Sequence, residues 1–164
     1  MKRSIILSLA LMLASLTTWA QSFFEGFEKY DDVEYVYVSK SLIGLIDNVE
    51  SSGVKLKGIS DKIDNVIIID MDKYVVVKGS PKNSENIQPA SVRAAHGALI
   101  YMHNERYEQL MRSKDKDELT TIYVKNKKKD NKEIVIYNED KEEISIVVIN
   151  GRLDKDDINK IAKM

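Results

Sequence analysis

The spacing of apolar residues changes period several times along the chain, and each change marks an element. Phe23, Phe27 and Tyr30 fall at helix-like intervals, which predicts a short N-terminal helix lying on the body of the domain. Val33 to Val38 is β-branched and aromatic and reads as a strand. Behind Ser39, read as an N-cap, Leu42, Leu45, Ile46 and Val49 recur at the spacing of a buried helical stripe, which Ser51-Ser52-Gly53 breaks. Leu56, Ile59 and Ile63 suggest a second short helix before a strand at Val66–Ile69. Strand, helical crossover and strand in that order favour a right-handed βαβ unit with parallel strands. Tyr74–Val77 reads either as a hairpin partner of that strand or as its continuation, and residues 79–89 have no period and read as a loop.

The second half is more regular. Val92, Ala95, Leu99, Met102, Leu110 and Met111 predict a long helix from about Ser91 to Arg112. Three strands follow, Thr120–Lys125, Glu133–Asn138 and Glu143–Asn150, joined by short charged turns as an antiparallel meander. The last is apolar on both faces toward its end, as a central strand covered on both sides requires. That cover is assigned to the N-terminal and last helices, with a second chain as the alternative. Gly151 is read as a turn, and Asp154 with Asp157 as the cap of a final helix carrying Ile158 and Ile161. The expected fold is therefore α+β. It has a βαβ unit plus a three-stranded antiparallel meander in one mixed sheet, packed by a long central helix and a short C-terminal helix.

The first 20 residues stand apart. Lys2 and Arg3 precede the apolar run Ile5–Leu16, which has the length of a signal-peptide core and is too short to span a membrane. Thr18-Trp19-Ala20 follows, with small residues where a signal peptidase reads, so cleavage between Ala20 and Gln21 is expected. Of 164 residues, 144 then remain as a single domain, 21–164, with 23 basic against 26 acidic side chains. The chain has no cysteine. That excludes disulfide scaffolds, thiol nucleophiles, zinc–thiolate and iron–sulfur sites and a lipidated N-terminal cysteine. Near-neutral charge argues against a nucleic-acid partner. The expectation is a protein that is soluble after export, periplasmic or extracellular, with no cofactor, no metal and no catalytic residue assigned.

Few residues are candidates for chemistry. His96 and His103 lie seven apart on the long helix, on one face but about 10 Å apart along the axis, too far to share one metal ion. They read as partly exposed histidines or, more sharply, as a pH-sensitive surface. There is no Gly-x-Ser-x-Gly and no glycine-rich phosphate loop. The turn 125–132 carries Lys125, Lys127, Lys128, Lys129 and Lys132 against Asp130, and the next turn carries Glu139, Asp140, Glu142 and Glu143 against Lys141. Successive turns of a meander lie at opposite ends, so the sheet should have a basic and an acidic end. Charged tips that keep strands from pairing at their edges account for both. A docking site for an anionic surface at Lys127, Lys128 and Lys129 is the sharper reading.

The ordered series Phe27-Glu28-Lys29-Tyr30, Val38-Ser39-Lys40-Ser41-Leu42, Tyr107-Glu108-Gln109-Leu110-Met111, Ile122-Tyr123-Val124-Lys125, Val148 to Asp154 and Asp157-Ile158 resembles one known family. It is that of small exported proteins of Gram-negative bacteria catalogued as domain of unknown function 4252. The sequence departs from the family between Val75 and Ala90, which looks like an added segment. The resemblance implies export and a compact α+β domain and brings no catalytic residues with it. The expected role is a non-enzymatic binding or accessory protein of the cell envelope, its partner an unidentified envelope protein or a second copy. The alternatives are a homo-oligomeric structural protein and a small hydrolase using a carboxylate or His103 as base.

Overall fold

A computed structural model describes residues 22–44, 50–51, 54–55, 58–74 and 88–162. Its centre is a six-stranded sheet built from β1 (Val33–Ser39), β4 (Ile63–Asp72), β5 (Glu108–Asp115), β6 (Glu118–Asn126), β7 (Lys132–Glu139) and β8 (Glu143–Gly151). The order is β1-β4-β8-β7-β6-β5, and β2 (Glu50–Ser51) and β3 (Val54–Lys55) pair separately. A 3-10 helix spans Phe23–Lys29, and the α-helices are α1 (Lys40–Ile43), α2 (Ala90–Asn104) and α3 (Lys155–Ala162). The α+β class, the meander, the long central helix and the short C-terminal helix are as expected from the sequence. The signal segment, residues 45–49 of the first helical stripe, Leu56, Val75–Val77 and residues 79–87 of the expected loop lie outside the described residues.

The parallel βαβ unit is not formed. β1 and β4 pair antiparallel in unbroken register from Val33↔Met71 to Ser39↔Asn65, and every other pairing in the sheet is antiparallel too. Among its described residues the connection between the two strands holds α1, the small β2–β3 ribbon and, where the sequence predicts a second short helix, a single 3-10 turn at Ser60–Lys62, none of them long enough to lie across the sheet. It returns the chain at the end where β1 stops. Leu42 is exposed and Ile43 is buried instead, because α1 is a single turn that presents only Ile43 to the sheet.

The long helix also ends eight residues early. α2 stops at Asn104, and Arg106 takes φ 59° so that its N–H reaches His103 O at 3.2 Å and the N–H of Tyr107 reaches Met102 O at 3.0 Å. This is the Schellman closure, normally marked by glycine at the left-handed position. With arginine there, the sequence carries no visible stop. Residues 108–115 then form edge strand β5, which makes the meander four-stranded.

Both faces of the sheet are covered. On one, Val92, Ala95, Ala98 and Met102 of α2 pack with Phe24 and Phe27 on Ile67, Ile69, Val135, Tyr137, Ile146 and Val148. On the other, Ile43, Ile59, Leu153 and Ile161 cover Val38, Val66, Ile134, Val147 and Ile149. β8 is central and buried on both sides, as its unbroken apolar run requires. Gly151 is not a turn but the last residue of β8. A Cβ there would sit 2.4 Å from the carbonyl oxygen of Lys62 and 2.9 Å from the Cα of Ile63, so only glycine lets the two backbones approach.

Candidate functional site

The turns lie where the meander predicts, 126–132 at one end of the sheet and 139–143 at the other. At the basic end, however, most of the lysines are engaged within the fold. Lys125 pairs with Glu105 at 2.7 Å, Lys132 donates to the Leu153 carbonyl at 2.6 Å, and Lys127 pairs with Glu133. Lys128 and Lys129 are exposed at the tip, where Lys129 and Asp130 both take positive φ. Glu133 is 2% exposed and also accepts from the Tyr107 hydroxyl, while Lys127 donates to Asn150 Oδ1 at 3.1 Å. Burial, then the Glu133 carboxylate, pushes the Tyr107 phenol far up. Such a group donates its proton to hold a buried anion in place, a cohesive role.

The histidines are separated by the fold. His96 Nε2 lies 3.3 Å from Glu139 Oε1, whereas His103 is exposed in the last turn of α2. Glu139 also accepts from Lys73 at 2.7 Å and from the buried Tyr137 hydroxyl at 3.0 Å. Burial pushes Glu139 up, but the hydrogen bonds from Lys73, Tyr137 and His96 together outweigh it and hold the carboxyl below its ordinary value. At α3, Asp154 Oδ1 accepts the N–H groups of Asp156 and Asp157 at 2.9 and 3.0 Å, and Asp157 Oδ2 accepts the N–H of Asp154 at 3.0 Å. This reciprocal capping box is clamped to the start of β4 by Lys62, 2.9 Å from Asp154 and 2.7 Å from the buried Asp157. The Asp157 N–H and then Lys62 hold the Asp154 carboxyl far below the usual range. Ser39 precedes α1 but makes no side-chain capping bond.

A broad concavity lies at the acidic end, on the face covered by α1 and α3 elsewhere. Here one cross-strand row is polar throughout, Glu34–Asp70–Ser145–Asn138–Thr120–Ser113, next to the apolar row Val36–Ile68–Val147–Ile136–Ile122–Met111. The groove has a volume of about 540 Å³, and Asp32, Glu34, Asp70, Asp72 and Glu143 line it. Neither His103 nor Glu105 is among its lining residues. Among the described residues no three histidine, aspartate or glutamate side chains are grouped to hold a metal ion. No helix among them is long and apolar enough to cross a membrane.

The two edge strands differ sharply. β5 (Glu-Gln-Leu-Met-Arg-Ser-Lys-Asp) is charged, exposed, and broken by a bulge between Gln109 and Met111. Each of these features discourages another strand from pairing with it. β1 has no bulge over seven residues and one charged side chain, Glu34, and it leaves Tyr37 51% and Val36 38% exposed. Among the described residues it pairs on one side only. Burial, then the charges of Glu25 and Glu28, raises the Tyr35 phenol.

Sequence reasoning missed Glu133, Lys73 and the exposure of β1, and it read Glu139 only as part of a charged turn. One signal was present. Glu133 continues the two-residue period of Val135 and Tyr137 on the α2 face, so a buried carboxylate was readable from the strand.

Fold and surface define a small α+β domain whose six-stranded antiparallel sheet is covered on both faces and has one protected edge and one that no described strand pairs with. The chain matches the family model described as Domain of unknown function (DUF4252) over residues 27–161, and it belongs to that family. No curated protein and no solved structure matches it.

Proposed function

We propose that this is an exported protein of the cell envelope that acts by binding rather than catalysis, with edge strand β1 as its docking surface. The observation that carries the reading is the β1 edge, which no described strand pairs with: largely apolar, unbulged and exposed, on a sheet whose other edge is blunted. An unprotected edge is a liability in a monomer, and its backbone groups are the template on which extended segments add to a sheet. The polar clusters support the same view, because Glu133, Glu139 and Asp157 each face cations or hydroxyls of their own fold. Export rests on the charged start, the apolar run and the small residues before Gln21.

Two measurements test this. Fractionation with N-terminal sequencing should recover the protein outside the cytoplasm beginning at Gln21; a cytoplasmic chain that keeps its first 20 residues sinks the export assignment. A photo-crosslinking residue at Tyr37 should form adducts in living cells, and one at Gln109 on the opposite edge should not. Equal labelling from both edges removes β1 as the working surface.

A further inference from the structure

We propose that β1 pairs antiparallel with β1 of a second copy, about a twofold axis through Val36, to make one continuous sheet from the two. This rests on the reading of β1 as the docking surface and names its occupant.

The strand is complementary to itself. In an antiparallel pair of identical strands, opposed residues have numbers of constant sum, and full overlap of Val33–Ser39 fixes the centre at Val36. Val36 then meets Val36, Tyr35 meets Tyr37 on either side of it, Glu34 meets Val38, and Val33 meets Ser39. No like charges are opposed, and two aromatic cross-strand pairs form on the α2 face, among the more favourable pairings a sheet offers. The large apolar side chains left exposed on β1, Val36 and Tyr37, are those that meet at and beside the axis.

Charge favours the same register. Just beyond each end of the strand, where the chain turns at Asp32 and enters α1 at Lys40, the acidic side chain of one copy comes to lie near the basic side chain of the other, and among the described residues Lys40 is held by an exposed pair with Asp64 at 3.0 Å. On a larger scale, antiparallel pairing sets the acidic end of one sheet, with Glu34, Asp70 and Asp72, beside the end of the other that carries Lys40 and Lys62. A parallel arrangement would set acidic end against acidic end. The register is unbroken between β1 and β4, so the edge offered to a second copy is straight and regular.

Seven paired residues make a small interface, so a dissociation constant in the micromolar range is expected. Sedimentation velocity on the purified protein with its native N-terminus should show a concentration-dependent dimer. Because residue 36 opposes itself, Val36→Lys and Val36→Glu should each weaken the homodimer by about tenfold or more, by setting like charges face to face. Mixing the two variants should restore a heterodimer. Leu110→Lys on the opposite edge should change nothing, and unchanged circular dichroism of each variant excludes unfolding as the cause. A protein that stays monomeric to about 0.5 mM overturns the proposal, as does a dimer indifferent to Val36→Lys or two monomeric variants that do not recombine. If Tyr37 crosslinks to a different protein while these fail, β1 remains a docking strand and self-pairing is discarded.

Discussion

The two ends of the sheet treat charge in opposite ways. Where β8 stops, Lys127 meets Glu133, Lys62 meets both Asp154 and Asp157, Lys125 meets Glu105, and Gly151 lets the backbones of β8 and the Lys62–Ile63 segment close on each other. Where β8 begins, the register sets Glu34 opposite Asp70 and Asp72 opposite Glu143, like charge facing like. Both ends are rich in charge; the first sets it in attracting pairs, whereas the second holds Glu139 with Lys73 but also sets like charges against each other across the strands. The difference shows that a count of charged residues says little about stability until the register says which of them face each other.

The comparison breaks first at Gly151. If the closed end carries the fold, Gly151→Ala should cost about 3 kcal/mol, because the added methyl collides with backbone that cannot swing aside. Urea denaturation should show the loss. A variant as stable as the parent would mean that the β4–β8 end is loose. Next is Lys127→Ala, which leaves Glu133 buried with only the Tyr107 hydroxyl as a described partner. Breaking a buried pair costs about 3–5 kcal/mol, and since Lys127 itself is 41% exposed we expect about 2 kcal/mol. Lys128→Ala, at the exposed tip, is the control and should be neutral.

Much of this was legible in the sequence, for physical reasons that vary with position. The last three strands were readable to within two residues because their β-branched and aromatic runs are bounded by charged turns, and β8 in particular because a central strand has no solvated face. The cap at Asp154 was readable because capping is local chemistry. The end of α2 was not, because Arg106 occupies a left-handed position that glycine normally announces, and Leu110 and Met111 fit a helical period by accident. The direction of β4 relative to β1 was illegible as well. A strand–helix–strand order implies a parallel pair only when the helix spans the sheet, and α1 is one turn long. As for candidate sites, Lys127 was noticed as one of a basic run, but its partner Glu133 is set by strand pairing, which spacing within a single segment does not reveal.

Glu139 sharpens the comparison, since it lies at the acidic end and is nonetheless satisfied. Hydrogen bonds from Lys73, Tyr137 and His96 outweigh its burial and depress its folded pKa. A group depressed on folding contributes stability that is complete above the unfolded carboxylate value, about 4.3, and is lost as pH falls through the lower folded value. Glu139→Gln should therefore be less stable than the parent at pH 7, with the difference closing below about pH 4. The effect is modest because the carboxyl is partly solvated. Parallel acid titrations followed by circular dichroism check it; curves separated by the same amount at pH 7 and pH 3 would show that the carboxylate has no such role.

The smallest effect should have the opposite sign. Glu34 and Asp70 face each other across β1 and β4 on the open acidic side, where repulsion is partly screened by solvent. Removing one charge with Glu34→Gln should stabilise the protein by about 0.5 kcal/mol at low salt. Asp70→Asn should do the same, and the double variant should gain less than the two together, because either substitution already relieves the pair. The gain should shrink as salt rises from about 10 to about 500 mM, since the screening length falls well below the separation of exposed charges. Glu34→Lys should gain more than Glu34→Gln, by turning a repelling cross-strand pair into an attracting one. If Glu34→Gln destabilises the protein and salt leaves the difference unchanged, the two ends do not differ in the way their registers imply.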